Sequence, residues 1–381
     1  MKKLTTDASY VLFGANEEES FEKTLKTMVS ETVWERWKLS SCNVIGIAAG
    51  PLIAAATKNE FAFGDNVSTE AVVDTCSPAS GSRYAMGYKG TDYLLSSTAL
   101  SGFVSRIGAD APRLNRLPDD VKAKVLNYFA ENIDSKATIL FRNEKVRAVN
   151  GPDYVILNQS ELFGALKDAL NEQFPNWEFV SGYVSNDFSS ASFTMPDQAE
   201  EILGTYYDQL EELGVTSKKM VPGLSFMTSD TGLSAVTVSV RLIDPENNRR
   251  TISVGSPIRL EHRGGASVAA FSSSLEDIFA QFRHQIDAIS RLCDIEVDRP
   301  LSVAIAIAKK CGISKVCLRD AAETFCISDV SEERTTAHDV FFLLQEALYN
   351  MRCNGKFSRL GIFQAEENLT RCLNSNFKWE E

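Results

Sequence analysis

The spacing of apolar residues divides the chain into a helical stretch, a strand-rich stretch and a second helical stretch. Leu94, Leu100, Phe103 and Ile107 recur at near-helical intervals. Between residues 136 and 265, short runs rich in Ile, Val and Tyr alternate with polar turns, which is typical of strands. Helical spacing then returns. Runs of strand separated from runs of helix predict an α+β fold with a mainly antiparallel sheet core.

Some local patterns predict individual elements. Residues 177–184 and 191–195 look like the two strands of a hairpin, and residues 251–260 look like a further strand. Ser274 with Asp277, and Thr336 with Asp339, have the spacing of capping boxes, so a helix is expected to begin at each.

The same pattern, with the composition of the loops, gives the expected domain organisation. Residues 58–90 are rich in Gly, Ser, Asp and Asn, which favour turns over regular elements. We therefore expect four parts: an N-terminal extension and linker (1–90), a helical subdomain (91–135), an α+β core (136–265) and a C-terminal helical region (266–381).

Charge is distributed unevenly along an acidic chain. The 381 residues carry a formal net charge of −12, which opposes nonspecific attraction to nucleic acid. Residues 101–150, however, hold nine Lys and Arg against six Asp and Glu. Any polyanion site is therefore expected to be local, built from this segment and a few later arginines.

The composition also indicates the cellular compartment in which the chain is expected. No apolar stretch follows the first lysines, and the longest apolar run, 44–56, is too short to cross a bilayer and is broken by Gly50 and Pro51. The eight cysteines form no CxxC pair, so reduced packing residues are expected rather than a zinc site. We expect a cytoplasmic protein of a bacterial host cell, with no membrane partner.

Three segments carry a resemblance to a known family. In chain order, the segments are "LLSSTALSGFVSRIGADAPRLNRLPDDVKAKVLNYFAEN", "ILFRNEKVRAVNGPDYVILNQSELFGAL" and "PIRLEHRGG". The similarity covers about half of the chain. Together they resemble the phage/plasmid-like family of unknown function carried on bacterial mobile elements. The resemblance implies a bacteriophage or plasmid context and no assigned enzymatic activity. The first ninety residues lie outside it.

Catalytic and metal-binding signatures are absent from the sequence. It contains no Gly-rich phosphate loop, HExxH helix or GxSxG elbow. We therefore assign no catalytic residue, no metal ligand and no cofactor. An enzyme stays a third alternative, in which Asp153 or Asp187 would hold a metal, but neither has a partner at a fixed spacing.

A basic strip is the candidate site. If residues 258–263 continue as a strand, Arg259, Glu261 and Arg263 share one face and His262 points to the other. Lys145 and Arg147 repeat the spacing on an earlier strand. The predicted nucleic-acid-binding residues are Arg142, Lys145, Arg147, Tyr154, Arg249, Arg250, Arg259, His262 and Arg263. The alternative is that Arg259 and Arg263 flank Glu261 in ion pairs.

Two function classes follow from these features. In the first, the chain is a DNA-metabolism protein of a mobile element that binds or anneals single-stranded DNA in recombination or replication, with phosphates on cations and bases on aromatic rings. In the second, it is a self-assembling structural or interaction protein, a homo-oligomer without catalysis. The first assumes that the two basic strands are neighbours.

Overall fold

A computed structural model describes residues 4, 6–46, 67–76, 83–214, 220–276, 278–328 and 335–374. The fold is α+β, as the sequence predicts, with two separate sheets and helices packed on each. None of the helices in these ranges is long and apolar enough to cross a bilayer.

The larger sheet is antiparallel throughout its described strands. Its members are β1 (Tyr10–Phe13), β8 (Glu178–Ser185), β9 (Ser189–Thr194), β10 (Val221–Thr228), β11 (Val236–Asp244), β12 (Asn247–Ser253) and β13 (Ile258–Leu260). They lie in the order β1-β8-β9-β10-β11-β12, and β13 pairs with β11 as well. The expected hairpin between residues 177 and 195 is confirmed as β8 and β9.

The smaller sheet lies in the first 150 residues. Its described members are β2 (Val33–Lys38), β3 (Cys42–Gly46), β4 (Tyr84–Tyr88), β5 (Thr91–Leu95), β6 (Lys136–Arg142) and β7 (Lys145–Asn150). Their order is β2-β6-β7-β5-β4-β3, so β2 and β3 are the edges. All neighbours are antiparallel except β5 and β7.

Helices flank both sheets. Those in the described residues are α1 (Glu18–Ser30), α2 (Thr69–Cys76), α3 (Ser97–Arg106), α4 (Asp119–Glu131), α5 (Gln159–Gln173), α6 (Ala199–Glu212), α7 (Val268–Ser274), α8 (Ile278–Ser290), α9 (Pro300–Cys311), α10 (Lys315–Phe325), α11 (Ala337–Asn354) and α12 (Arg359–Asn374). The capping box predicted at Thr336 and Asp339 begins α11, and Gly355 ends it in the left-handed conformation.

Each sheet has its own apolar core. The larger core joins β8 to β13 with α1 and with the helices that follow β7. The smaller core lies between one face of the smaller sheet and α3 and α4, where Trp37, Phe103, Leu126 and Ile139 are buried. The other face of the smaller sheet points toward the ends of β8 to β11.

The N-terminal residues do not form the expected extension. β1 pairs with β8 in the larger sheet, and β2 and β3 form the two edges of the smaller one. The helices of residues 91–135 likewise pack on the smaller sheet rather than forming a separate subdomain. Apolar spacing does not reveal these strands because all three are edge strands with exposed positions.

Two local predictions also differ from the structure. The helix expected to begin at a Ser274 cap is interrupted there: Ser267 caps α7, which ends at Ser274, and Asp277 lies outside the described residues. The strand expected over residues 251–260 is broken at Gly255, whose φ of 69° is left-handed. β13 then ends at Leu260.

Candidate nucleic-acid interface

Arg142, the first residue of the predicted basic strip, is buried at the junction of the two sheets. Only 2% of it is exposed. Its Nη1 lies 2.9 Å from Oδ2 of Asp230, which follows β10, and its Nη2 donates to the carbonyl oxygen of Asn186 at 2.6 Å. Arg142 therefore ties β6 of the smaller sheet to two loops of the larger one.

Lys145 and Arg147 lie in the same junction and are each 1% exposed. The Lys145 ammonium contacts Asp74 of α2 and lies 3.3 Å from Oδ1 of Asp7. Nη1 of Arg147 is 2.5 Å from the same Asp7 oxygen, and its Nε donates to the carbonyl oxygen of Arg142 at 3.1 Å. Asp7 thus bridges two cations of β7.

Burial shifts the pKa of two groups at this junction, Arg147 and Asp187. It lowers the pKa of the Arg147 guanidinium, and the carboxylate of Asp7 opposes that shift. It raises the pKa of Asp187, which accepts a hydrogen bond from the Thr98 hydroxyl at 2.9 Å. The three cations are therefore paired with groups inside the protein and are not exposed to the phosphates of a nucleic acid.

The later arginines are also paired with carboxylates. Nη1 of Arg250 lies 2.7 Å from Glu346, and Nη1 of Arg259 lies 2.6 Å from Glu367. Nε of Arg263 lies 2.5 Å from Glu261. The ion-pair alternative is thus present at Arg259 and Arg263. The side chain of Arg249 lies outside the described part of the chain.

The predicted basic strip is therefore not one open surface. β7 belongs to the smaller sheet and β13 to the larger, so the two basic strands are not neighbours. His262 and Arg263 follow the end of β13, which removes the alternation on which the strip depended. The assumption fails because strand pairing between distant segments has no local signature in the sequence.

The structure does bring Tyr154 and His262 together, with a ring that the sequence did not indicate. Tyr154 and His262 stack with ring centroids 4.8 Å apart and planes 4° apart. Trp34 of β2 stacks on the other side of Tyr154 at 5.7 Å and 27°. The three rings come from an edge strand, the segment after β7 and the segment after β13. They form the aromatic stack.

Hydrogen bonds hold Tyr154 and His262, the middle and inner rings of the aromatic stack. The Tyr154 hydroxyl donates to the carbonyl oxygen of Asp230 at 3.0 Å, and Nδ1 of His262 donates to that of Val155 at 3.1 Å. Burial lowers the pKa of His262, so the ring is neutral near pH 7. Its Nε2 is buried and has no hydrogen-bond partner in the described structure.

The outer end of the aromatic stack is open. Trp34 is only half-buried, and its second face has no aromatic neighbour among the described residues. Arg36, two residues further along β2, shares the face of Trp34 and is exposed. Lys136 of β6 lies on the same face and is also exposed. Within the described ranges, neither cation has an ion pair.

The sequence around Trp34, at the outer end of the aromatic stack, does favour a strand. Three of the six residues 33–38, VWERWK, are Val or Trp, which favour strands, but they fall in the segment assigned to an extension. No group of three or more His, Cys, Asp or Glu side chains in the described residues could hold a metal ion. Comparisons with family models, curated proteins and solved structures found no match.

Proposed function

We propose that this chain binds single-stranded nucleic acid at the open end of the aromatic stack. The observation that carries the proposal is the half-buried Trp34, whose ring stacks on Tyr154, which in turn stacks on His262. Every nucleobase has a flat face that can stack on such a ring, and a ring already held against Tyr154 loses little freedom when it does so. The resemblance to mobile-element proteins would place this binding in replication or recombination.

Nearby cations support a phosphate contact beside the stacked base. Arg36 and Lys136 share the Trp34 face and carry no carboxylate partner in the described residues, unlike the buried cations of the junction. Lys38 on the same face is paired with Asp134 at 3.0 Å and so contributes less. The binding surface is a small stacking platform with two free charges.

The overall charge limits how strong this binding is. A net charge of −12 repels a polyanion at long range, and two phosphate contacts offset little of that repulsion. Affinity should therefore depend on stacking more than on charge. Binding should be strongest at low ionic strength and should weaken modestly as salt is added.

The test is fluorescence anisotropy with a labelled oligothymidine of about 20 nucleotides in about 50 mM salt. Trp34→Ala should weaken binding by about 5- to 150-fold, the loss expected from one stacked base. Arg36→Ala should weaken it less and should lower the slope of log affinity against log salt by about 0.7, the value for one phosphate contact on a single strand.

Two variants serve as controls. Tyr128 on α4 is 70% exposed, and Lys124 on the same helix is exposed, but both lie on the opposite side of the smaller sheet. Tyr128→Ala and Lys124→Ala should therefore bind as the unaltered chain does. No binding in low salt, or equal binding by Trp34→Ala, would refute the proposal.

Self-assembly is a second proposal, supported by the edge strand β1. Tyr10 and Leu12 on β1 are 55% and 51% exposed, and among the described strands β1 pairs with β8 alone. An unpaired edge can add a strand from another copy. Light scattering should then show an oligomer without nucleic acid, and Leu12→Lys should dissociate it; a monomer at micromolar concentration rules it out.

A further inference from the structure

A pocket of about 720 Å³ opens on the helical side of the smaller sheet, away from the aromatic stack. It lies between α3, the start of α4 and the segment that joins them. Its apolar wall includes Leu100, Val104 and Leu114, and its polar groups include Lys122 and Asn115. Two cations, Arg83 and Lys122, and two carboxylates, Asp110 and Asp119, also line the pocket. Its volume is within the range of small-molecule sites.

Lys122 differs from the other buried cations. Arg142, Lys145, Arg147 and Arg241 are each at most 7% exposed and each has a carboxylate partner. Lys122 is 9% exposed, yet no carboxylate in the described residues lies within 4.0 Å of its ammonium. A buried cation without a directly contacting counter-ion carries a desolvation cost that an anionic ligand would offset.

The surrounding groups hold the ammonium without neutralising it. Nζ of Lys122 donates to Oδ1 of Asn115 at 2.8 Å and lies 5.6 Å from the centre of the Tyr84 ring. An ammonium has three donors, so two are left for a ligand. Burial lowers the pKa of Lys122, which Asp119 partly offsets.

Asp119 is occupied by other partners. The Tyr84 hydroxyl donates to its Oδ1 at 2.9 Å, and Nη1 of Arg83 lies 3.9 Å from its Oδ2. Burial and Asp119 raise the pKa of Tyr84, which keeps the hydroxyl protonated as a donor. Arg83 is half-exposed at the pocket and adds a second positive charge there.

We propose that this pocket binds a small organic anion whose acidic group pairs with Lys122 and whose apolar body lies against Leu100, Val104 and Leu114. A carboxylate, sulfonate or phosphate ester satisfies the two remaining donors of the ammonium. The site is separate from the aromatic stack, so it requires no nucleic acid.

The test uses two fluorescent probes with the same apolar body. 1-Anilinonaphthalene-8-sulfonate carries an anion, and N-phenyl-1-naphthylamine does not. Titration of the full chain should give one sulfonate site. Lys122→Met should weaken binding of the sulfonate by about tenfold or more, the loss expected for a hydrogen bond to a charged group, and should leave the neutral probe unchanged.

Lys124→Met is the matched control, because Lys124 is an exposed lysine of the same helix and does not line the pocket. It should bind both probes normally. If Lys122→Met does not fold by circular dichroism, Val104→Trp decides instead: filling the pocket should weaken binding of both probes by about tenfold or more. Unchanged sulfonate binding by the folded variant, or equal loss of both probes in Lys122→Met, would overturn the proposal.

Discussion

The pair formed by Arg142 and Asp230 gives the sharpest test of how the two sheets are joined. Their side chains are 0% and 8% exposed, and the atoms Nη1 and Oδ2 are 2.9 Å apart. Replacing one partner leaves the other charge buried without its counter-ion, which costs about 3 to 5 kcal/mol. Arg142→Met and Asp230→Asn should each lower the free energy of unfolding by about that amount.

The double variant separates the energy of the ion pair from the effect of each side chain's other contacts. With both charges removed, neither is left unpaired, so Arg142→Met with Asp230→Asn should lose less than the sum of the single changes by about 1 to 3 kcal/mol. Urea unfolding followed by circular dichroism measures all three values.

The matched control is the exposed pair formed by Lys38 of β2 and Asp134, which precedes β6; their side chains are 52% and 90% exposed. Lys38→Met should cost less than about 1 kcal/mol because solvent screens that pair. Two results would refute the idea that this ion pair joins the sheets. One is that Arg142→Met and Asp230→Asn lose as little unfolding free energy as Lys38→Met. The other is that the losses of the two single variants add up to that of the double variant.

Two further predictions concern buried titratable groups. Burial lowers the pKa of His262 in the folded chain below its ordinary value of 6.5. As the pH falls, the imidazole therefore takes up a proton in the unfolded chain before it does so in the folded chain. The stability that this neutral ring contributes above pH 6.5 should be lost as the pH falls toward the lowered pKa. His262→Phe keeps a ring in the stack and should show a smaller drop in urea midpoint between about pH 7.5 and 5.5; an equal drop contradicts the argument. Glu366 is 3% exposed and pairs with Arg241 at 2.6 Å and with Arg352. Glu366→Gln should cost about 3 to 5 kcal/mol of unfolding free energy in urea, and a loss below about 1 kcal/mol would show that the two arginines are satisfied without it.

Local patterns predicted much of this fold. The capping box at Thr336 and the hairpin of β8 and β9 are read from a few adjacent residues, and both are present. The α+β class follows from the change of apolar spacing along the chain. These features depend on contacts between near neighbours, which sequence periodicity records.

The candidate site depended on contacts that periodicity does not record. The KVRAVN sequence of β7 suggests an exposed basic face, but all six residues are buried. The N-terminal segment and α2 cover Lys145 and Arg147 with Asp7 and Asp74, and Val146 and Val149 belong to the apolar core. These carboxylates lie 138 and 71 residues away from Lys145 along the chain. Trp34 was missed for the same reason, since its partner Tyr154 belongs to a distant loop.

The buried junction and the aromatic stack share one residue, which links stability to the proposed binding. The Asp230 side chain pairs with Arg142, while its backbone carbonyl accepts the Tyr154 hydroxyl in the middle of the stack. A buried ion pair is a poor source of stability compared with apolar packing, but it is satisfied in only one arrangement of its partners. We infer that the pair fixes where the loop after β10 meets the smaller sheet, and so where Tyr154 supports Trp34. Breaking it should therefore weaken binding of single-stranded nucleic acid even at temperatures at which the chain stays folded.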